Sequence, residues 1–150
     1  MTDNAVIVDI DGTLAEFDPN HVGAWVLGTE KQWGPFFTHM AEAQAIEPVV
    51  RLVRLLEAQG QRIVICSGRP DGYREHTRRW LVKREIPFHG LYLRDQGDDH
   101  LADEVVKSLL LERMRRDGFF PWLVLDDRDA VVDQWRRLGL TCLQCAEGDF

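Results

Sequence analysis

The chain has 150 residues, 45% hydrophobic and 29% charged, with a mean hydropathy of −0.27; this suits one domain with a proper core and excludes a disordered or low-complexity chain. No apolar run approaches the ~20 residues of a membrane span, and Met1-Thr-Asp-Asn lacks the basic start and apolar core of a secretory signal, so the expected location is the cytoplasm. The net charge of −7 excludes a generally basic nucleic-acid coat; residues 1–50 hold eight acids against Lys31, whereas residues 51–150 hold seventeen charges of each sign.

The first element is an apolar run, Ala5 to Val8, the pattern of a strand buried on both faces. Asp9 and Asp11 follow, and strand alternation would place them on one side before Gly12-Thr13 ends the strand. Residues 15–46 carry five aromatic residues among Gly23, Gly28, Gly34 and Pro35. They are expected as a small lid or cap, largely irregular, with a short helix over about 35–43.

Pro48 opens a helix to Gln59, with Val49, Leu52, Val53, Leu55 and Leu56 as its apolar stripe and Gly60 as its stop. A second strand, 62–66, ends in the turn Ser67-Gly68-Arg69-Pro70-Asp71-Gly72. A helix over about 72–85 carries Arg74, Arg78, Arg79, Lys83 and Arg84 against Glu75 and Glu85. It is the best candidate for contacting a nucleic-acid backbone.

A short strand, 90–93, and a polar loop to His100 lead into a helix over 103–117. Its predicted stripe is Val105, Val106, Leu109, Leu110 and Met114, with Lys107 turned partly away and spaced to pair with Asp103 at i,i+4. A strand over 122–125 ends in Asp126-Asp127; a helix over 130–138 and a strand over 141–144 complete the chain. Cys66, Cys142 and Cys145 form no even disulfide framework, and Cys142-x-x-Cys145, a candidate redox or half-metal pair with no second pair, is read as structural; the five histidines lack metal-ligand spacing.

Five alternations of strand and helix define an α/β chain with a parallel sheet. Ligands in such sheets bind beyond the carboxyl ends of the strands. Three strand ends deliver Asp9 with Asp11, Ser67 with Arg69, and Asp126 with Asp127. Four acids in one crevice call for a cation, and all-oxygen ligands suit Mg²⁺. A cation beside Ser67, Arg69 and Lys107 fits a phosphoryl group, with Asp9 as the natural nucleophile.

Asp9-Ile-Asp-Gly-Thr-Leu, Ile65-Cys-Ser-Gly-Arg, Lys107 and Val124-Leu-Asp-Asp resemble, in order and spacing, the four motifs of the haloacid dehalogenase (HAD) phosphatases. The resemblance implies a Rossmann-like fold with a five-stranded sheet of order 5-4-1-2-3, helices on both faces and a small cap. It implies that Asp9 forms an aspartyl-phosphate and Asp11 is the acid and then the base. Ser67 would bind phosphoryl oxygens, and Lys107 would neutralise charge. Mg²⁺ would be held by Asp9, Asp126, Asp127 and the Asp11 carbonyl.

A narrower resemblance runs from Ala5 to the end. Ser67-Gly-Arg69, Thr77-Arg-Arg-Trp80, Arg94, Asp103-Glu-Val-Val-Lys107, Asp126-Asp-Arg and Gly148-Asp-Phe150 are similar to the 3′-phosphatase half of phage polynucleotide kinase/phosphatase. This implies removal of 3′-phosphates, or 2′,3′-cyclic phosphates, from nucleic-acid ends. Gly68, Arg69, Arg94 and Asp103 would then belong to the substrate-binding set, with Arg69 and Arg94 gripping the phosphate and Asp103 orienting Lys107 or an arginine. The chain has no Gly-rich phosphate loop, so 5′-kinase activity is not expected. Two other readings stand beside it: a phosphatase of free nucleotides or small phosphate esters, and a non-catalytic end-binding module.

Overall fold

The computed structural model describes residues 2–28 and 30–150; Met1 and Thr29, which fall in the predicted 1–150 domain and 15–46 segment, lie outside the described residues. Five strands form one parallel sheet: β1 (Ala5–Val8), β2 (Arg62–Pro70), β3 (Gly90–Arg94), β4 (Pro121–Asp126) and β5 (Thr141–Gln144). The order β3-β2-β1-β4-β5 is the expected 5-4-1-2-3 read from the other edge. β1 lies at the centre, paired to β2 and β4. Its side chains alternate between two cores: Val6 and Val8 enter one, Ala5 and Ile7 the other. Each fully buried Val or Ile contributes about 1.5–3 kcal/mol, so the strand just before Asp9, buried along its whole length, is firmly anchored.

Helices α1 (Pro19–Val26), α2 (Trp33–Met40), α3 (Glu47–Ala58) and α4 (Arg74–Lys83) pack with the Val6/Val8 core. Helices α5 (Asp103–Arg116) and α6 (Asp129–Arg137) cover the other face. Among the described residues no helix is long and apolar enough to cross a membrane, and all three cysteines are free.

Four expectations need correction. α1 was not expected, yet its start is encoded: the Asp18 side chain accepts from the Asn20 N–H and Pro19 occupies the first turn. α2 sits two to three residues earlier than predicted because Trp33, Phe36, Phe37 and Met40 bury one side against the core. β2 runs on to Pro70 instead of ending at Cys66, with a register shift against β3 between Cys66 and Pro70. The apolar stripes of α3 and α5 are rotated. α3 buries Val50 and Val53 while Leu52 and Leu55 are exposed; α5 buries Val106, Lys107, Leu110, Leu111 and Met114 while Val105 and Leu109 are exposed.

Candidate active site

The strand carboxyl ends surround a pocket of about 50 Å³. β1 hands over to a tight turn in which the Thr13, Leu14 and Ala15 N–H groups all converge on the Ile10 carbonyl. Gly12 sits there at φ +91°, and a Cβ on it would lie 2.0 Å from the Asp127 carboxylate. Only glycine lets that turn pass so close to the acid. The turn, and not strand alternation, brings Asp11 to the pocket beside Asp9, since β1 ends at Val8.

Asp9 is buried, and its two carboxylate oxygens are held separately. The Lys107 ammonium donates to one at 2.8 Å and the Thr13 hydroxyl to the other at 3.2 Å. Lys107 donates equally, at 2.8 Å, to Asp126. Asp126 is further fixed by the Trp135 indole N–H at 3.0 Å and the Asp127 N–H at 2.8 Å. The Thr13 hydroxyl also bridges to Asp127 at 3.2 Å. Oxygens of Asp9, Asp126 and Asp127 lie within 4.8 Å of one another, all on buried residues.

Three carboxylates against one ammonium leave an excess of negative charge out of water. Burial, reinforced by the Asp126 charge and opposed by Lys107, pushes the Asp9 carboxyl well above the ordinary range. Burial likewise pushes Asp127 up to about 6. Burial alone would lower Lys107; the facing Asp126 and Asp9 outweigh it and raise it. Such a cluster is the donor set of a hard divalent cation, which would remove the repulsion.

Ser67, Gly68 and Arg69 occupy the irregular stretch of β2. The Ser67 hydroxyl accepts from the Arg69 N–H at 3.1 Å. The Arg69 guanidinium, 3% exposed, grips Asp11 with two bonds, Nε to Oδ2 at 2.9 Å and Nη2 to Oδ1 at 2.7 Å. Its third nitrogen donates to Thr77, and its carbon lies 5.4 and 5.1 Å from the Phe36 and Phe37 ring centres. Arg69 therefore fixes the orientation of the Asp11 carboxylate.

Arg94 does not face the pocket. It is fully buried, and its donors go to the Gly68, Asp98 and Leu101 carbonyls and to Asp103. A guanidinium so occupied has no edge left for a phosphate; it ties Gly68 to Asp103 instead. A Cβ on Gly68 would lie 2.5 Å from Asp103, so this position also requires glycine. Asp103 makes no bond to Lys107, in contrast to the expected i,i+4 pair. It accepts from Arg94 at 2.6 Å and Arg128 at 2.9 Å. Burial would raise its carboxyl, but the charges of Lys107, Arg128 and Arg94 prevail and hold it below the usual range.

The pocket thus brings together Asp9, Asp11, Ser67, Gly68, Arg69, Asp103, Lys107, Asp126 and Asp127. Sequence reading assigned no role to Thr13, Trp135 or Arg128. Thr13 and Arg128 lie inside quoted motifs, which is a usable signal. Trp135 resembles any core aromatic until its N–H is seen to reach Asp126. The pocket wall includes Phe17 and Phe150, stacked with centroids 5.4 Å apart, and Trp33 and Phe36 from α2.

A central strand ending in a buried Asp-x-Asp turn, a lysine bridging two acids, and a serine on the neighbouring strand define a phosphatase of the HAD class. Comparison with known proteins places it within that class. Residues 3–150 match the model of the polynucleotide kinase PNKP phosphatase domain, and the chain belongs to that family. It is 34% identical to a chain of the Pnkp1/Rnl/Hen1 complex, with a TM-score of 0.80 over 98% of this chain and 47% of that one. A second structure, of the Pnkp1/Rnl/Hen1 RNA repair complex, matches at 33% identity and TM-score 0.78 over 99% of this chain and 44% of that one. The chain therefore spans about half the length of these relatives. The Class C acid phosphatase of Bacillus anthracis shares the fold, at 17% identity and TM-score 0.67, over 99% of this chain and 68% of that one.

Proposed function

We propose that this chain removes 3′-phosphates from nucleic-acid ends through an aspartyl-phosphate on Asp9. The observation that carries this reading is the Lys107 ammonium set 2.8 Å from both Asp9 and Asp126 in a buried pocket that also holds Ser67, Arg69 and Asp11. The PNKP family match and the RNA repair assembly named for one similar structure support a nucleic-acid end as substrate.

Asp9 attacks phosphorus, and the bond from phosphorus to the 3′ oxygen breaks as Asp11 gives that oxygen a proton. Asp11 then takes a proton from water; the water oxygen bonds to phosphorus, the bond to Asp9 breaks, and inorganic phosphate leaves. Lys107 offsets charge on Asp9 and the phosphoryl oxygens, and Ser67 binds those oxygens. Asp9, Asp126 and Asp127 would hold Mg²⁺, together with the Asp11 carbonyl; the ion supplies charge neutralisation at the phosphoryl group. Arg69 orients Asp11. Asp103 and Arg94 keep the Ser67–Arg69 stretch in place. The 15–46 segment, with α1 and α2, is a small cap over a single catalytic domain.

A second reading, a phosphatase of free nucleotides, is favoured by the Phe17–Phe150 stack at the pocket wall, which suits a single base. Phosphate release separates the two. A 3′-phosphorylated oligonucleotide is expected to outrun 3′- and 5′-mononucleotides, with loss of release in EDTA and in Asp9→Asn. Preference for a mononucleotide would move the substrate to free nucleotides.

A further inference from the structure

We propose that the groove between α4 and α2 is a second phosphate subsite, holding the phosphodiester next to the terminal nucleotide; this rests on the nucleic-acid-end reading above. Of the five cations of the α4 region, two are neutralised at home: Arg74 pairs with Asp71 and Arg78 with Glu75. Arg79, Lys83 and Arg84 form no ion pair among the described residues; Arg79 and Lys83 share a face of α4 at i,i+4, and Arg84, just past the helix end, lines the same pocket. That face bounds a pocket of about 140 Å³, floored by Phe37 and Trp80.

No acid lines this pocket; Glu42, whose charge reaches Arg84, stands outside it. Arg84 lies over the Trp80 ring, 4.4 Å from its centre, and one guanidinium nitrogen donates to the Ala43 carbonyl. Its other terminal nitrogen is buried without a hydrogen-bond partner. A buried guanidinium nitrogen with no acceptor is a donor awaiting one. Arg69 lines both this pocket and the catalytic one, and its guanidinium lies against Phe36, which lines the catalytic pocket, and Phe37, which floors this one. The two pockets thus share Arg69 as a common wall. Cations over an apolar floor suit a phosphodiester and its sugar.

The test is the double variant Arg79→Ala/Lys83→Ala, both residues being exposed on α4, with unchanged thermal melting as the folding control. The oligomer's advantage over a nucleoside 3′-monophosphate is expected to fall by about tenfold, carried by KM. The salt dependence of oligomer binding should flatten by roughly one unit of slope per cation removed. If the parent prefers the oligomer and the variant keeps both preference and slope, the subsite is overturned while the 3′-end reading stands. If the parent shows no preference, the 3′-end reading is overturned and the subsite with it.

Discussion

At the scale of single residues, the site is a charge imbalance, three buried carboxylates around one ammonium. Asp127 has its carboxyl raised to about 6 by burial. The unfolded chain releases this proton near the ordinary value of 3.8, so between about pH 4 and pH 6 folding retains a proton that unfolding gives up. The ion-free protein therefore loses stability as pH rises through that window. Asp9, also raised, adds in the same direction. Mg²⁺ needs the carboxylates ionised and removes their repulsion. Its stabilisation, read as the rise in melting temperature on adding saturating Mg²⁺, is expected to be larger at about pH 7.5 than at about pH 5. An equal rise at both would show that Asp127 is not a ligand. The motif acids were legible because their spacing is tied to chemistry. The destination of Arg94 was not, because a charged residue near a site can serve the substrate or serve the scaffold; Asp103 takes the arginine-orienting role among those the sequence left open, on Arg94 and Arg128. Only the Gly68, Asp98 and Leu101 carbonyls show that Arg94 serves the scaffold.

At the scale of elements, α5 shows how a helix carries a lysine into a core. Its buried face is Val106, Lys107, Leu110, Leu111 and Met114, so the ammonium reaches Asp9 along an otherwise apolar stripe. Leu110→Ala should cost about 2–5 kcal/mol in urea unfolding, and Leu109→Ala should fall within about 0.5 kcal/mol of the parent. The reverse ranking would mean the predicted stripe was the right one. That stripe placed Val105 and Leu109 inside because counting apolar residues alone treats Lys107 as a polar marker. A lysine that meets two carboxylates is buried at a charged site, and periodicity carries no sign of that. α1 escaped notice for a similar reason. Its Asp18-Pro19 start is a clear cap, but Gly23 inside the helix and Gly28 just beyond it weigh against so short a helix when neighbours are unknown.

At the scale of the molecule, the parallel sheet gathers side chains from residue 9 to residue 150 at the carboxyl ends of its strands. The class followed from the alternation of apolar strands and helices, and the strand order from the resemblance to the HAD phosphatases; helix α1 of the 15–46 segment did not, because that segment is shaped by packing of its aromatics onto the Val6/Val8 core. The central claim is that Asp9 carries the phosphoryl group. The most direct test is rapid acid quench of Mg²⁺-loaded protein turning over a 3′-phosphorylated oligonucleotide, followed by mass spectrometry of the peptide containing Asp9. A hydroxylamine-sensitive phosphoryl adduct on Asp9, absent from Asp9→Asn, is the predicted result. Phosphate release at the parent's rate by Asp9→Asn, with no adduct on the parent, would contradict it.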